Sequence, residues 1–281
     1  MEHISDYGNQ LVAYIDLLGF SEAISNQEDK STIFNLLKSR ASSRGDFAIE
    51  TLSKDAESTT IKTTPCVSTF SDNMIISYKL KDGEKFMTIC YLMNLKRIFF
   101  KIAKQALPIG FMIRGGITIG PLYHSQSEGI VFGEALVEAH KLESSVAIYP
   151  RIVLSRNVAA LIPTDFKKED GTTMQDVLRL MVLDFDGIHF LDYFSLEILE
   201  QFFPTPAPTN WEQNLLNWIS NVNEVIKANI VRHTHDEDLS KLAKWSWFSR
   251  YFNEVLGYEN KFAALGCTSI NEIIKRISNP Q

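Results

Sequence analysis

Apolar runs of strand length alternate with segments of helical period along most of the chain. Leu11-Val-Ala-Tyr-Ile-Asp-Leu-Leu-Gly-Phe20 is broken by one carboxylate and closed by Gly19, which predicts a buried strand. Residues 21–37 have helical character, and the Ser-, Thr- and charge-rich stretch 38–64 reads as loop. Val67, Phe70, Met74, Ile75 and Ile76 bracket Ser71-Asp72-Asn73, predicting two strands that turn at this triplet with Asp72 at the tip. Over 84–106, Phe86, Ile89, Cys90, Met93, Ile98, Ile102 and Ala103 recur at helical intervals before Pro108, so this helix should cover a sheet. The run 111–121 holds one charge, Arg114, and two adjacent residues without side chains, Gly115 and Gly116; something must approach that backbone closely.

A helix over 133–142, a strand over 151–154 and a strand pair around Asp186-Gly187 within 180–194 continue the alternation. Pro204-Thr-Pro-Ala-Pro-Thr209 reads as a stiff linker, after which Trp211, Leu215, Ile219, Val222, Ile226 and Ile230 trace one helical face. A second helix, 238–256, carries Trp245, Trp247, Phe248, Tyr251 and Phe252 and is too aromatic to stand in water undocked. The pattern predicts an α/β (α+β) fold: a mixed, mostly antiparallel sheet covered by helices over 1–203, and a helical C-terminal extension over 204–281.

Composition narrows the function classes. The 281 residues are 45% hydrophobic and 11% aromatic, as expected of a chain that buries a core. A net charge of −6 argues against a broad footprint for nucleic acid or anionic lipid. Cys66, Cys90 and Cys267 are too few and too far apart for a disulfide framework or a CxxC metal site. With no signal-peptide pattern and no apolar run near about 18 residues, the expected location is the cytoplasm, with neither a membrane nor a nucleic acid polymer as partner.

Asp16 and Asp72 are each a lone carboxylate in an apolar strand context. Burying an uncompensated carboxylate is costly, so such a residue has a cation, a metal or backbone donors as partner, or else caps a turn. Two carboxylates meeting at adjacent strand ends can hold Mg²⁺, which prefers oxygen ligands and leaves coordination sites for phosphates. Arg114 then suits the phosphate tail of such a substrate through its planar fork; its other reading is an ion pair with a structural Asp.

These residues carry a resemblance to the class III nucleotide cyclases. Tyr14-Ile-Asp16-Leu-Leu-Gly-Phe20 is similar to that family's first metal-Asp motif, Phe70-Ser-Asp72 to its second, and Met112-Ile-Arg114-Gly-Gly-Ile117 with Gly120-Pro121 to its phosphate-Arg strand. Phe132-Gly133 through Ser144 and Pro150-Arg-Ile-Val153 resemble the helix and strand that follow, in order and spacing over residues 11–195. The strings Gly129-Ile-Val-Phe-Gly-Glu-Ala, Lys141-Leu-Glu-Ser, Tyr149-Pro-Arg-Ile-Val and Asp186-Gly-Ile-His-Phe-Leu-Asp-Tyr193 resemble in particular the pyrimidine cyclases of bacterial Pycsar anti-phage systems.

The resemblance implies a ferredoxin-like cyclase sheet and two divalent ions, Mg²⁺ or Mn²⁺, on Asp16, Asp72 and the carbonyl of Leu17. It implies Arg114 on the triphosphate and conversion of UTP or CTP to cyclic UMP or cyclic CMP, with UTP favoured because many relatives are uridylate cyclases. It further implies a homodimer with shared sites and a separately encoded effector that senses the product. The departures are specific. The family's transition-state Asn and Arg fall on Val137 and Lys141, and its purine-reading Lys and Asp fall on Ser68 and Ile130. Lys141 or Arg151 from the partner subunit is then the candidate for stabilising charge on the α-phosphate.

Other signals are weaker. His233-Thr-His235-Asp-Glu-Asp238 could ligate a metal but reads better as a solvated turn and N-cap. The aromatic helix reads as a docking face. There is no Walker A sequence, HExxH or GxSxG. Two other classes stay open: a catalytically inactive cyclase-like module that binds nucleotide, favoured by Val137, and an interaction protein, motivated by the aromatic helices.

Overall fold

The apolar run around Tyr14 forms β1, Gly8–Leu18, in a computed structural model that describes residues 7–25, 30–42, 64–81, 85–162, 180–194 and 211–256. The chain divides into two units, one of residues 1–106 and 111–192, the other of 107–110 and 193–281. The expected boundary at 203/204 and the linker 204–209 lie outside the described residues.

In the first unit, β2 (Cys66–Phe70), β3 (Asn73–Lys79), β4 (Met112–Ser125), β5 (Ile130–Phe132), β6 (Ile152–Leu154), β7 (Met181–Leu183) and β8 (His189–Leu191) join β1 in an eight-stranded sheet. Its order is β2-β3-β1-β4-β6-β8-β7, with β5 paired to β4, and β4–β6 is the one parallel pairing among the described strands. This is the mixed, mostly antiparallel α/β sheet expected from the sequence.

The helices are α1 (Phe20–Ser25), α2 (Lys30–Ser42), α3 (Lys85–Ala106), α4 (Glu134–Lys141) and α5 (Arg156–Ala159). The stretch read as loop from residue 38 is helical as far as Ser42; residues 43–63 lie outside the description.

Strand periodicity gives the sheet two chemically different faces. Leu11, Ala13, Ile15 and Leu17 of β1, with Met74, Ile76 and Tyr78 of β3 and Ile113 and Ile117 of β4, are buried on the face that α3 covers. There Tyr78 stacks on Tyr91 at 4.4 Å and accepts a hydrogen bond from Asn94. The opposite face carries Val12, Tyr14 and Asp16 of β1 beside Arg114, Gly116 and Thr118 of β4. Helix α4 packs there through Ala135 and Ala139, against Val12 and Leu122.

The double glycine explains how α4 comes so close. A Cβ on Gly115 would meet the Tyr14 carbonyl oxygen at 2.6 Å, and one on Gly116 would lie 2.5 Å from both the Ala139 carbonyl oxygen and Leu142 Cβ. The end of α4 therefore sits directly on β4, and the chain continues in a wide π-type turn, Leu142–Val146, that brings Glu143 down to the sheet.

The second unit contains α6 (Trp211–His235) and α7 (Leu239–Leu256). Leu215, Ile219, Val222 and Ile226 of α6 are buried, as the helical period predicts. Phe194 lies among Trp218, Phe248, Tyr251 and Phe252 at 5.8–6.4 Å between ring centroids, and its amide donates to Tyr251 Oη. Asp238 caps α7 by accepting from the Lys241 amide. His233, expected in a solvated turn, is instead buried at the end of α6, while His235 is exposed.

Candidate active site

Asp16 lies near the C-terminal end of β1, directly opposite Arg114 in the antiparallel register with β4. Asp72 lies in the two-residue turn between β2 and β3, since Phe70 pairs with Asn73. The turn puts Ser71 at φ 54, a left-handed backbone that few side chains adopt. Its tip is anchored: Tyr14 Oη donates to Asn73 Oδ1 at 2.8 Å, and Asn73 Nδ2 reaches Asp72 Oδ1 at 3.5 Å. β1 thus supplies both the first carboxylate and the hydroxyl that anchors the turn bearing the second.

The two carboxyls are close enough to share a hydrogen bond. Burial, that hydrogen bond and the charges of Asp72 and Glu143 push Asp16 up to about 6, against a smaller opposing pull from Arg114. Tyr14 is likewise raised, chiefly by burial and then by Glu143, Asp16 and Asp72. The Arg114 Nη2 ion-pairs with Glu143 and lies 3.4 Å from Asp16 Oδ2, while its Nε is buried without a hydrogen-bond partner among the described residues. A guanidinium held from one side with a donor to spare is suited to an oxyanion.

The structure therefore brings together Asp16, Asp72 and Arg114, with Leu17 next along β1, its side chain buried on the opposite face. It adds Glu143, Tyr14 and Asn73, which sequence reasoning did not single out. Lys141 and Val137 are exposed on α4, Val137 at 69%, and Ile130 is exposed on β5. Ser68 faces the same side of the sheet as Asp16 and is hydrogen-bonded to His124 Nε2 at 2.9 Å.

Arg151 is a correction. Its side chain is fully buried, ion-paired with Asp184 and Asp186 and stacked near Tyr149. Two carboxylates hold it and the side chain is fully buried, so it is not presented to a partner's substrate, and its Nε is left without a hydrogen-bond partner among the described residues. Asp186, expected only as a turn residue, is held below the usual carboxylate range first by this hydrogen bond.

Among the described residues no group of three or more His, Cys, Asp and Glu is placed to hold a metal by itself, which includes the His233–Asp238 stretch. No helix among them is long and apolar enough to cross a membrane. No protein-family model and no curated protein sequence matches the chain.

The chain is similar to solved cyclase structures. One is the dimeric guanylyl cyclase domain of the RhoGC fusion protein from the aquatic fungus Blastocladiella emersonii, at 16% identity and TM-score 0.40, covering 56% of this chain and 84% of that one. The monomeric form of that domain aligns at 12% identity and TM-score 0.41, over 66% and 94%. A bacterial light-regulated adenylyl cyclase aligns at 11% identity and TM-score 0.37, over 62% and 55%.

Proposed function

We propose that the chain is a nucleotidyl cyclase that converts UTP or CTP to the 3′,5′-cyclic monophosphate and pyrophosphate. The observation that carries this reading is the Asp16–Asp72 pair: two carboxyls within hydrogen-bonding reach, one with its proton affinity raised, beside a guanidinium with an unpartnered donor. Like charges held together in this way call for a cation.

An all-oxygen pair that leaves most coordination positions to substrate phosphates and water fits Mg²⁺ or Mn²⁺. Asp16, Asp72 and the Leu17 carbonyl would hold two such ions, which when bound supply charge neutralisation at the phosphates and acidify the ribose 3′-hydroxyl. The chain's own groups do the rest. Glu143 holds Arg114 from one side while its remaining donors bind the β- and γ-phosphates. Tyr14 and Asn73 keep the Asp72 turn in place. The 3′-hydroxyl gives up its proton to solvent as its oxygen attacks the α-phosphorus, and the bond from the α-phosphorus to the α–β bridging oxygen breaks to release pyrophosphate.

Lys141 from a second copy of the chain is the candidate for the α-phosphate. Exposed apolar side chains nearby, Ile130, Phe132 and Val137, suit a homodimer in which each site draws on both protomers. A pyrimidine base is favoured by Ser68 and Ile130, which offer neither the long cation nor the acid that a purine edge would pair with. The resemblance of its sequence strings to the pyrimidine cyclases of anti-phage systems supports a role as a cytoplasmic second-messenger synthase whose product is read by a separate effector.

Asp16→Asn and Asp72→Asn each test this reading. Both should abolish cyclisation while leaving the circular dichroism spectrum unchanged; turnover retained in either at matched metal concentration removes the two-metal reading. A second reading, a nucleotide-binding module without catalysis, is favoured by Val137, whose exposed apolar side chain cannot hydrogen-bond where the family has Asn. It predicts nucleotide binding with no product under any metal.

A further inference from the structure

Arg114 stands directly across from Asp16 in the antiparallel pairing of β1 and β4, so the two side chains leave one face from Cβ atoms roughly 5 Å apart. Strand geometry by itself would close this pair. The guanidinium is instead drawn away: Nη2 ion-pairs more closely with Glu143 than with Asp16, from which it stands 3.4 Å off. Glu143 comes from neither strand. It is 4% exposed and reaches the sheet because the chain leaves α4 in the wide turn Leu142–Val146, closed by the Ala147 amide on the Leu142 carbonyl at 2.8 Å. Gly116 leaves room for it, since a Cβ there would lie 3.1 Å from the Glu143 amide nitrogen. Turns of this width are rare and concentrate at functional sites.

The need of Arg114 for a counter-ion does not explain this acid, because Asp16 already faces it. Among the described residues Arg114 is the one cation in contact with either carboxylate. A second acid, buried more deeply than the first, adds desolvation cost and like-charge repulsion, and Glu143 is one of the charges that raise the Asp16 carboxyl. What Glu143 changes is where the positive charge sits. With it, the guanidinium is held to one side and Asp16 and Asp72 are left to another cation. Without it, the long flexible arginine would settle on Asp16 and neutralise the pair from within.

We propose that Glu143 is a positioning residue that holds the Arg114 guanidinium off Asp16 and so keeps the Asp16–Asp72 pair open to a divalent ion. This role depends on Asp16 and Asp72 being metal ligands, as proposed above, and explains why the arginine beside them does not take the place of the metal.

The test is Mn²⁺ binding by isothermal titration calorimetry without nucleotide, so that the role of Arg114 on phosphates does not enter. Glu143→Gln, close in shape but uncharged, should weaken Mn²⁺ binding by on the order of tenfold as the guanidinium closes on a metal carboxylate. Loss of a nearby negative charge would also weaken binding, and the Arg114→Met background tells the two causes apart. There the same Glu143→Gln change should shift the affinity by less than about twofold, because no guanidinium remains to move. A tenfold loss in that background too, or no loss in the Arg114 background, overturns the inference. The movement itself is read from a crystal structure of metal-free Glu143→Gln, in which Arg114 should close to about 3 Å from Asp16; a guanidinium left in its wild-type place overturns the inference whatever the calorimetry gives. These failures in a chain that binds Mn²⁺ sink this inference alone, whereas a wild type that binds no Mn²⁺ sinks the metal reading and this one with it.

Discussion

Asp16→Asn should separate stability from function in a pH- and metal-dependent way. Asp16 is 17% exposed, and its rise from the ordinary 3.8 to about 6 means that the folded state binds its proton more tightly than the unfolded chain does. The sign follows from linkage: there is no penalty below about pH 4, where both states are protonated; the penalty grows between about pH 4 and 6 and is full above that. Its size is at most roughly 3 kcal/mol at pH 8, which in a unit of this length is a shift on the order of 6–12 °C in Tm. The neutral amide escapes the penalty, and Arg114 keeps Glu143 as its counter-ion. In chelator at pH 8, Asp16→Asn should thus unfold at a higher temperature than wild type, and at pH 4 the two should coincide. Saturating Mn²⁺ should raise the wild-type Tm and leave the variant unmoved, because only the wild type binds the ion. Differential scanning calorimetry reads both effects. Equal Tm values in chelator at pH 8, or equal stabilisation by Mn²⁺, would mean that these carboxylates are not held together for a cation.

Gly116→Ala places a methyl 2.5 Å from the Ala139 carbonyl oxygen, so α4 must lift; a loss of about 1–3 kcal/mol in urea titration, with impaired Arg114 function, is expected. Arg151→Met leaves Asp184, 4% exposed, without its cation and should destabilise the chain by about 3–5 kcal/mol, while the fraction that stays folded keeps its kcat. Mixing inactive Asp72→Asn with inactive Lys141→Ala should restore part of the activity if each site draws on two protomers; no rescue despite demonstrated subunit exchange would place the site within one chain.

The sheet was legible because strand period and turn chemistry are local. The run around Asp16, the Ser71-Asp72 turn and the paired glycines of β4 each say what backbone they need, and the structure places β1, the β2–β3 turn and the close approach of α4 accordingly. The helical spacing of α6 was enough to name Leu215, Ile219, Val222 and Ile226 as buried, whereas on α3 only Ile98, Ile102 and Ala103 of the named positions are buried and Phe86 at its start is exposed. What the sequence concealed are partners set by long-range packing. Glu143 reaches Arg114 only because a π-type turn follows α4, and nothing in Lys141-Leu-Glu-Ser announces that turn. Arg151 looked free for catalysis because Asp184 and Asp186 come from a strand pair far along the chain. His124 gave no sign, since its serines lie on two other strands and a single His in a polar stretch has no periodic signature. Tyr14 was visible as a strand former, but its hydrogen bond to Asn73 depends on the register of β1 with β3.

The proposed reaction is a metal-dependent pyrimidine cyclisation at Asp16 and Asp72. It is tested most directly by incubating the full chain with equal concentrations of ATP, GTP, CTP and UTP and Mn²⁺ or Mg²⁺ in one tube, and identifying the products by mass. A 3′,5′-cyclic pyrimidine nucleotide and pyrophosphate as the main products, abolished by chelator and by Asp72→Asn, is the predicted result. Cyclic AMP or cyclic GMP as the main product contradicts the pyrimidine assignment, and the absence of any cyclic nucleotide contradicts the enzyme.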